Sequence, residues 1–249
     1  MRALVVIPTY NEAATVRRIV EAVRRLSRAH VLIVDDSSPD GTGEIADWLA
    51  ERDYGVHVLH RTEKAGLGAA YRAGLRWGLD LGYDALGEMD ADGSHDPADV
   101  PRLLDALGNA DLVIGSRYVP GGAVRNWPLR RRLLSRGGNW YVQAMTGLPV
   151  NDATAGFRMF RRQTLLALDV DDVQSDGYSF QIEMALRAHA LGFRVVEIPV
   201  TFVERTEGAS KMSRAIVLEA LWRVPRWAVE ARTGPSGVHR RSVAASLGG

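Results

Sequence analysis

The 249-residue sequence contains no cysteine, which excludes disulfides and cysteine-ligated zinc and fits a reducing compartment. No apolar run approaches the roughly 18 residues that a membrane-spanning helix needs. The N-terminal run Ala3 to Ile7 is also too short for a signal peptide, so a cytoplasmic protein is expected. Neither sign of charge is in excess: the net charge is +1 with 24% charged residues, which argues against a global nucleic-acid binder. No internal repeat or low-complexity linker breaks the chain. With 46% hydrophobic residues, it can bury a core as one large or two small domains.

The near-zero total hides a strong local asymmetry. From Asp80 to Asp111 there are nine acids against one arginine, Arg102. From Ser116 to Val150 the balance reverses, with Arg117, Arg125, Arg130, Arg131, Arg132 and Arg136 facing no acid. One segment suits a cation and the next an anion.

The first half alternates two periodicities. Ala3 to Ile7, Val31 to Val34, Val56 to Leu59 and Leu112 to Gly115 are short apolar runs, largely β-branched, suited to buried parallel strands. Glu12 to Leu26, Gly43 to Glu51 and Gly68 to Asp80 have helical spacing. This order predicts a doubly wound, mostly parallel α/β sheet with ligands beyond the carboxyl ends of its strands. The polar clusters Pro8 to Glu12, Asp35 to Asp40, Asp90 to Asp96 and Ser116 to Tyr118 fall at those ends.

Asp90-Ala91-Asp92 follows the stretch ending in Met89 and places two carboxylates one residue apart at a strand end. Such a pair suits a divalent cation whose remaining ligands are water and substrate phosphate oxygens, although a D-x-D alone also describes a solvated loop. Gly41 to Ala46 fits the G-x-G-x-x-A dinucleotide fingerprint, but it lies too far beyond its strand and reads better as a helix-capping turn. Asp35-Asp36 after a strand also fits phospho-acceptor receiver domains; those are much shorter and leave Asp90, Asp92 and the arginines without a use.

Taken in order, these segments resemble the family 2 glycosyltransferases of GT-A fold, and among them the dolichol-phosphate (polyprenol-phosphate) mannose synthases. The resemblance rests on Ile7 to Glu12, Val34 to Thr42, Gly66 to Tyr71, Met89 to Pro97 and Gly115 to Tyr118. It continues through Ala155 to Arg158, Gly177 to Met184, Phe202 to Arg205 and Gly208 to Lys211, covering roughly residues 2 to 212. Gly93 departs from it, standing where the family carries a bulkier apolar residue, which implies a more mobile metal-binding loop.

The resemblance implies a single catalytic domain over residues 1 to 212 that transfers mannose from GDP-mannose to a polyprenol phosphate with inversion. Pro8, Tyr10, Glu12, Val34 and Asp36 are then expected to hold the nucleoside. Asp90, Asp92 and Ser94, with Ala91 between the acids, are expected to hold Mg²⁺ or Mn²⁺ on the donor diphosphate, Asp92 also orienting the reacting groups. Arg205 and Lys211 would contact that diphosphate, and Arg117, Arg131 and Ser135 the acceptor phosphate, Arg117 and Arg131 being counted with Asp92 as catalytic. The alternatives are transfer of glucose from UDP-glucose and a non-catalytic nucleotide-sugar-binding protein.

Residues 213 to 232 carry an amphipathic pattern, with Trp222 and Trp227 beside arginines. That composition suits either core packing or an interfacial helix lying in a membrane surface, and hence peripheral contact with the cytoplasmic face. A protein partner that anchors the enzyme to the membrane is a further expectation. Residues 233 to 249, rich in Gly, Ser, Ala and Arg, are expected to be a disordered basic tail.

Overall fold

The computed structural model describes residues 1–173, 175–204 and 222–227. Strands β1 (Ala3–Thr9), β2 (His30–Asp35) and β3 (Val56–His60) alternate with helices α1 (Val16–Leu26), α2 (Thr42–Ala50) and α3 (Leu67–Asp80). Next come β4 (Ala85–Glu88), α4 (Asp99–Ala106), β5 (Leu112–Ser116), β6 (Ala123–Arg125) and α5 (Leu129–Thr146). The remaining elements are β7 (Arg158–Arg161), α6 (Arg162–Leu168), α7 (Gly177–Ala190), β8 (Val195–Pro199) and β9 (Thr201–Val203).

Seven strands form one sheet in the order β3-β2-β1-β4-β7-β5-β8, and β6 and β9 pair as a small second sheet. The main sheet is parallel except for β7, which runs antiparallel to both β4 and β5. The strand alternation divides the core in two. Leu4, Val6, Leu32, Val34, Leu112 and Ile114 face one side with Tyr71, Leu75, Leu79 and Phe180. Val5, Ile7, Val31, Ile33 and Val113 face the other with Val16, Ile19, Val20, Val23 and Leu103. Helices therefore cover both faces, as a parallel sheet requires.

Helix α3 lies very close to the sheet. A Cβ added at Gly74 would stand 2.4 Å from Val6 Cγ1, and one at Gly78 would stand 2.5 Å from Leu86 Cδ2. Helix α1 starts at Val16, later than the expected Glu12, because residues 11–13 bond across to the β2–α2 loop instead. Glu12 N donates to Thr42 Oγ1 at 3.0 Å and Ala13 N to Asp40 Oδ2 at 3.1 Å. The same Asp40 takes the Thr42 amide at 3.1 Å, so the Gly41 turn serves to cap α2.

Residues 222–227 are helical; Val224 is buried in the first core cluster with Trp227 against it, whereas Trp222 is 79% exposed. The rest of the expected amphipathic segment, 213–221 and 228–232, and the tail 233–249 lie outside the described residues. Among the described residues, no helix is long and apolar enough to cross a membrane.

Candidate active site

The carboxyl edge of the sheet carries two adjoining cavities, and Asp90 and Asp92 line both. The smaller, about 190 Å³, is walled by Pro8, Tyr10, Glu12, Asp36, Lys64 and Ala91. The larger, about 260 Å³, is walled by Ser94, Arg117, Arg131, Gly156, Gln181 and Glu204 among others. The acid pair thus stands between a recess lined by Glu12, Asp36 and Lys64 and a recess supplied with arginines.

In the smaller cavity Tyr10 is exposed, with Lys64 Nζ 3.7 Å from its ring centroid. Asp36 is buried, and desolvation pushes its carboxyl above the ordinary range, although Arg61 at 2.9 Å pulls it back. Val34 does not reach this cavity. Its side chain is fully buried in the core beneath Gly74, which leaves only its backbone for the nucleoside contact that the resemblance implies, whereas Asp36 lines the recess.

The two acids are held in different ways. Tyr71, buried and with its hydroxyl pKa raised by burial and then by Asp90, donates to Asp90 Oδ1 at 3.1 Å. Asp90 N donates to His95 Nδ1 at 3.1 Å, which places the His95 proton on Nε2 if the ring is neutral. Burial pushes the His95 pKa down, and the ring stacks on Phe157 at 4.8 Å, so the neutral form is favoured. Asp92 Oδ1 accepts from Ser94 N at 3.0 Å, closing a tight turn in which Gly93 has φ +77°, a conformation that disfavours a side chain there.

Among the described residues, no group of three or more His, Asp or Glu converges as a metal cage. What the site offers is two carboxylates and the Ser94 hydroxyl, which is buried without a hydrogen-bond partner. Such a set fits a divalent ion that completes its shell with water and phosphate oxygens, as Mg²⁺ usually does.

The basic cavity is built around an ion pair. Arg117 Nε and Nη2 donate to Asp152 at 2.7 and 2.6 Å, and Nη2 also donates to Thr154 Oγ1 at 2.8 Å. Burial opposes the Arg117 charge, but Asp152 more than offsets it and the pKa is raised. The implied role of Arg117 toward a phosphate therefore rests on its remaining donor, Nη1. Arg131 pairs with Glu204 and lies 4.1 Å above the Trp127 ring, its Nε buried and unpartnered. Ser135, one turn further along α5, accepts from the Tyr118 hydroxyl at 2.7 Å and does not line either cavity. Arg205 and Lys211 lie outside the described residues.

Sequence reading missed Lys64, Tyr71, His95, Asp152 and Gln181. Tyr71, His95 and Gln181 stood in recognised segments without a role, and Asp152 reaches Arg117 across 35 positions, which no local pattern reveals.

Residues 4–168 match the Glycosyl transferase family 2 domain. This chain belongs to that family. The undecaprenyl-phosphate mannosyltransferase of Micrococcus luteus is 55% identical over 236 residues, covering 93% of this chain and 96% of that protein. The polyprenol monophosphomannose synthase of Mycolicibacterium smegmatis is 54% identical over 234 residues, covering 93% and 88% respectively. Among solved structures, the mannosyltransferase PcManGT from Pyrobaculum calidifontis, in complex with GDP-Man and Mn²⁺, superposes with a TM-score of 0.57. It is 18% identical and the match covers 99% of this chain and 79% of that one, a likeness of fold. In this family 2 glycosyltransferase the two cavities meet at Asp90 and Asp92.

Proposed function

We propose that this glycosyltransferase moves mannose from GDP-mannose to a polyprenol phosphate. The observation that carries the reading is the position of Asp90 and Asp92 on the shared wall of an acidic recess and an arginine-bearing one. A nucleoside in the smaller cavity, stacked near Tyr10 and bonded by Asp36, places its diphosphate at the acid pair and its sugar in the larger cavity. Two relatives, 55% and 54% identical to this chain over 236 and 234 residues, are named undecaprenyl-phosphate mannosyltransferase and polyprenol monophosphomannose synthase.

Asp90 and Asp92, with Ser94 beside them, would hold a divalent metal, Mg²⁺ or Mn²⁺, which would neutralise the charge that builds on the departing GDP. Arg117 Nη1 and Arg131 orient the acceptor phosphate. One phosphate oxygen bonds to the anomeric carbon as the bond from that carbon to the GDP oxygen breaks on the opposite face, through an oxocarbenium-like transition state, with inversion. A phosphate monoester is mostly dianionic near neutral pH, its second pKa being about 6, so the attack needs no strong base. Arg205 and Lys211 belong to the same reading as cations on the diphosphate.

Delivery of a lipid phosphate calls for a membrane-facing surface, and α5 offers one. Leu129, Leu133 and Trp140 are 70%, 63% and 70% exposed and share a helix face with the exposed Arg136. The opposite face carries Arg131 to the cavity and buries Asn139 and Val142. An amphipathic helix with aromatic and basic residues on its outward side suits an interfacial position, with Trp222 as a second contact. This surface supports peripheral membrane association, with or without an anchoring protein partner.

The test is transfer of radiolabel from GDP-mannose, with UDP-glucose in parallel, to solvent-extractable polyprenol phosphate, with Mg²⁺ or Mn²⁺ and then with chelator. Metal-dependent label from GDP-mannose alone is the expected result. Label from UDP-glucose instead overturns the sugar, and no transfer from either overturns catalysis by this chain alone.

A further inference from the structure

Trp127 is 6% exposed and stands between β6 and α5, just after Asn126, whose φ of +63° turns the chain from strand to helix. Asparagine is one of the few side chains that tolerates this conformation. Val124 of β6 is in register with Phe202 of β9, and the Phe202 ring meets the indole edge-on at 5.4 Å. Two guanidiniums approach that same indole. Arg131, four residues on in the first turn of α5, lies 4.1 Å from the ring centroid, and Arg117, directly after β5, lies 5.3 Å from it. Both distances are within the roughly 6 Å over which a cation is attracted to an aromatic face. Both arginines line the larger cavity, whereas Trp127 lines neither cavity and stands behind them.

The acids that hold the two arginines do not by themselves aim them. Asp152 takes Arg117 through two side-chain nitrogens, but Glu204 takes Arg131 through Nη1. A contact through one nitrogen anchors a guanidinium without fixing its plane. A phosphate in the cavity also competes with Glu204 for the same charge, so that anchor weakens when the site fills. The indole makes no such exchange, and a guanidinium, being weakly hydrated and planar, stacks well on an aromatic face. We infer that Trp127 is a positioning residue for the acceptor phosphate, its ring holding the Arg131 and Arg117 guanidiniums so that both meet one dianion. The inference rests on the reading above, in which these two arginines orient that phosphate. Plain packing of Trp127 between α5 and β9 is the competing account, and under it only the size of the ring matters.

The experiment places tryptophans bearing one to four ring fluorines at position 127 alone, because fluorine draws electron density from the ring face and barely changes its shape. Calorimetry on each protein gives the affinity for a short-chain polyprenyl phosphate and, separately, for GDP. Affinity for the lipid phosphate is expected to fall stepwise with fluorine number, by about tenfold across the series, as both cation contacts weaken. Affinity for GDP should stay constant, which also shows that each protein is folded. Trp127→Phe, which keeps a ring, should retain more of the lipid-phosphate affinity than Trp127→Leu. Arg131→Met is measured alongside. A flat fluorine series, or an equal fall for GDP, with lipid-phosphate affinity lowered by Arg131→Met overturns the Trp127 assignment alone. Unchanged affinity in Arg131→Met, or no lipid-phosphate binding by the native protein, overturns the acceptor reading and the assignment with it.

Discussion

Replacing Asp152 by Asn isolates the ion pair on which the basic cavity is built. Asp152 is fully buried and receives Arg117 N at 2.9 Å, Nε at 2.7 Å and Nη2 at 2.6 Å. The substitution keeps the shape but removes the counter-charge from a guanidinium that is itself 6% exposed. Removing one partner of a buried pair costs about 3–5 kcal/mol, and the retained amide oxygen favours the lower end. For a chain of this size, 3 kcal/mol corresponds to a fall in Tm of about 6–12 °C. Denaturant unfolding of the native protein, Asp152→Asn, Arg117→Met and the double variant measures the coupling. The double variant should be more stable than Asp152→Asn alone, because no buried charge is then left unpaired. A loss under 1 kcal/mol for Asp152→Asn, or a double variant that simply adds the two single losses, would refute the argument that Asp152 holds the Arg117 charge in place.

Three other perturbations test separate parts of the molecule. Gly74→Ala should destabilise by about 1–2 kcal/mol, since overpacking against Val6 at 2.4 Å exceeds the helix propensity gained; unchanged unfolding would show that α3 can lift off the sheet. His30, His57 and Tyr83 converge at the opposite end of the sheet, with His30 Nδ1 3.2 Å from His57 Nε2. Burial pushes both histidine pKa values down, so their contribution is full above the unfolded value of about 6.5 and is lost as pH falls below it; unfolding followed from pH 7.5 to 5.5 should show that loss, and His57→Gln should flatten it. Leu133→Ser with Trp140→Ser should weaken sedimentation with anionic liposomes roughly tenfold or more, by loss of apolar area from the outward face of α5; unchanged binding would remove that face from the membrane reading.

How much of this was legible from sequence depends on whether the determinant is local. The strands β1, β2, β3 and β5 follow from β-branched runs, and the same alternation that puts Leu32 in the core puts Val34 there too. That signal restricts the contact implied for Val34 by resemblance to its backbone. Strand β7 was not legible, because Arg-Met-Phe-Arg has arginines at both ends. Buried Arg158 is tolerated there only because its guanidinium donates to the carbonyls of Ala153, Ala155 and Gln181, and burial still pushes its pKa down to about 10. The pair Asp90 and Asp92 stood out as candidate ligands from its place at a strand end among the neighbouring motifs, whereas Tyr71 and His95, which fix Asp90, are set by packing.

The antiparallel strand also explains why the second cavity exists where it does. In the sheet order β1 and β4 are neighbours, and the chain leaves β1 towards β2 but leaves β4 in the opposite direction towards β5, although the helices that follow, α1 and α4, pack on the same face. A parallel strand next to β4 would bring its outgoing loop to the same edge. Because β7 is reversed, its incoming end arrives there instead: Arg158 pairs with Glu88 of β4 and with Ile114 of β5, both near the carboxyl ends of their strands. The segment leading into β7 therefore delivers Asp152, Thr154 and Gly156 beside the acid pair. Asp152 and Thr154 bind Arg117 from the end of β5, while Gly156 leaves space against Asp90 and Gln181. One strand reversal thus brings the arginine-bearing recess and the acids together on a single edge of the sheet.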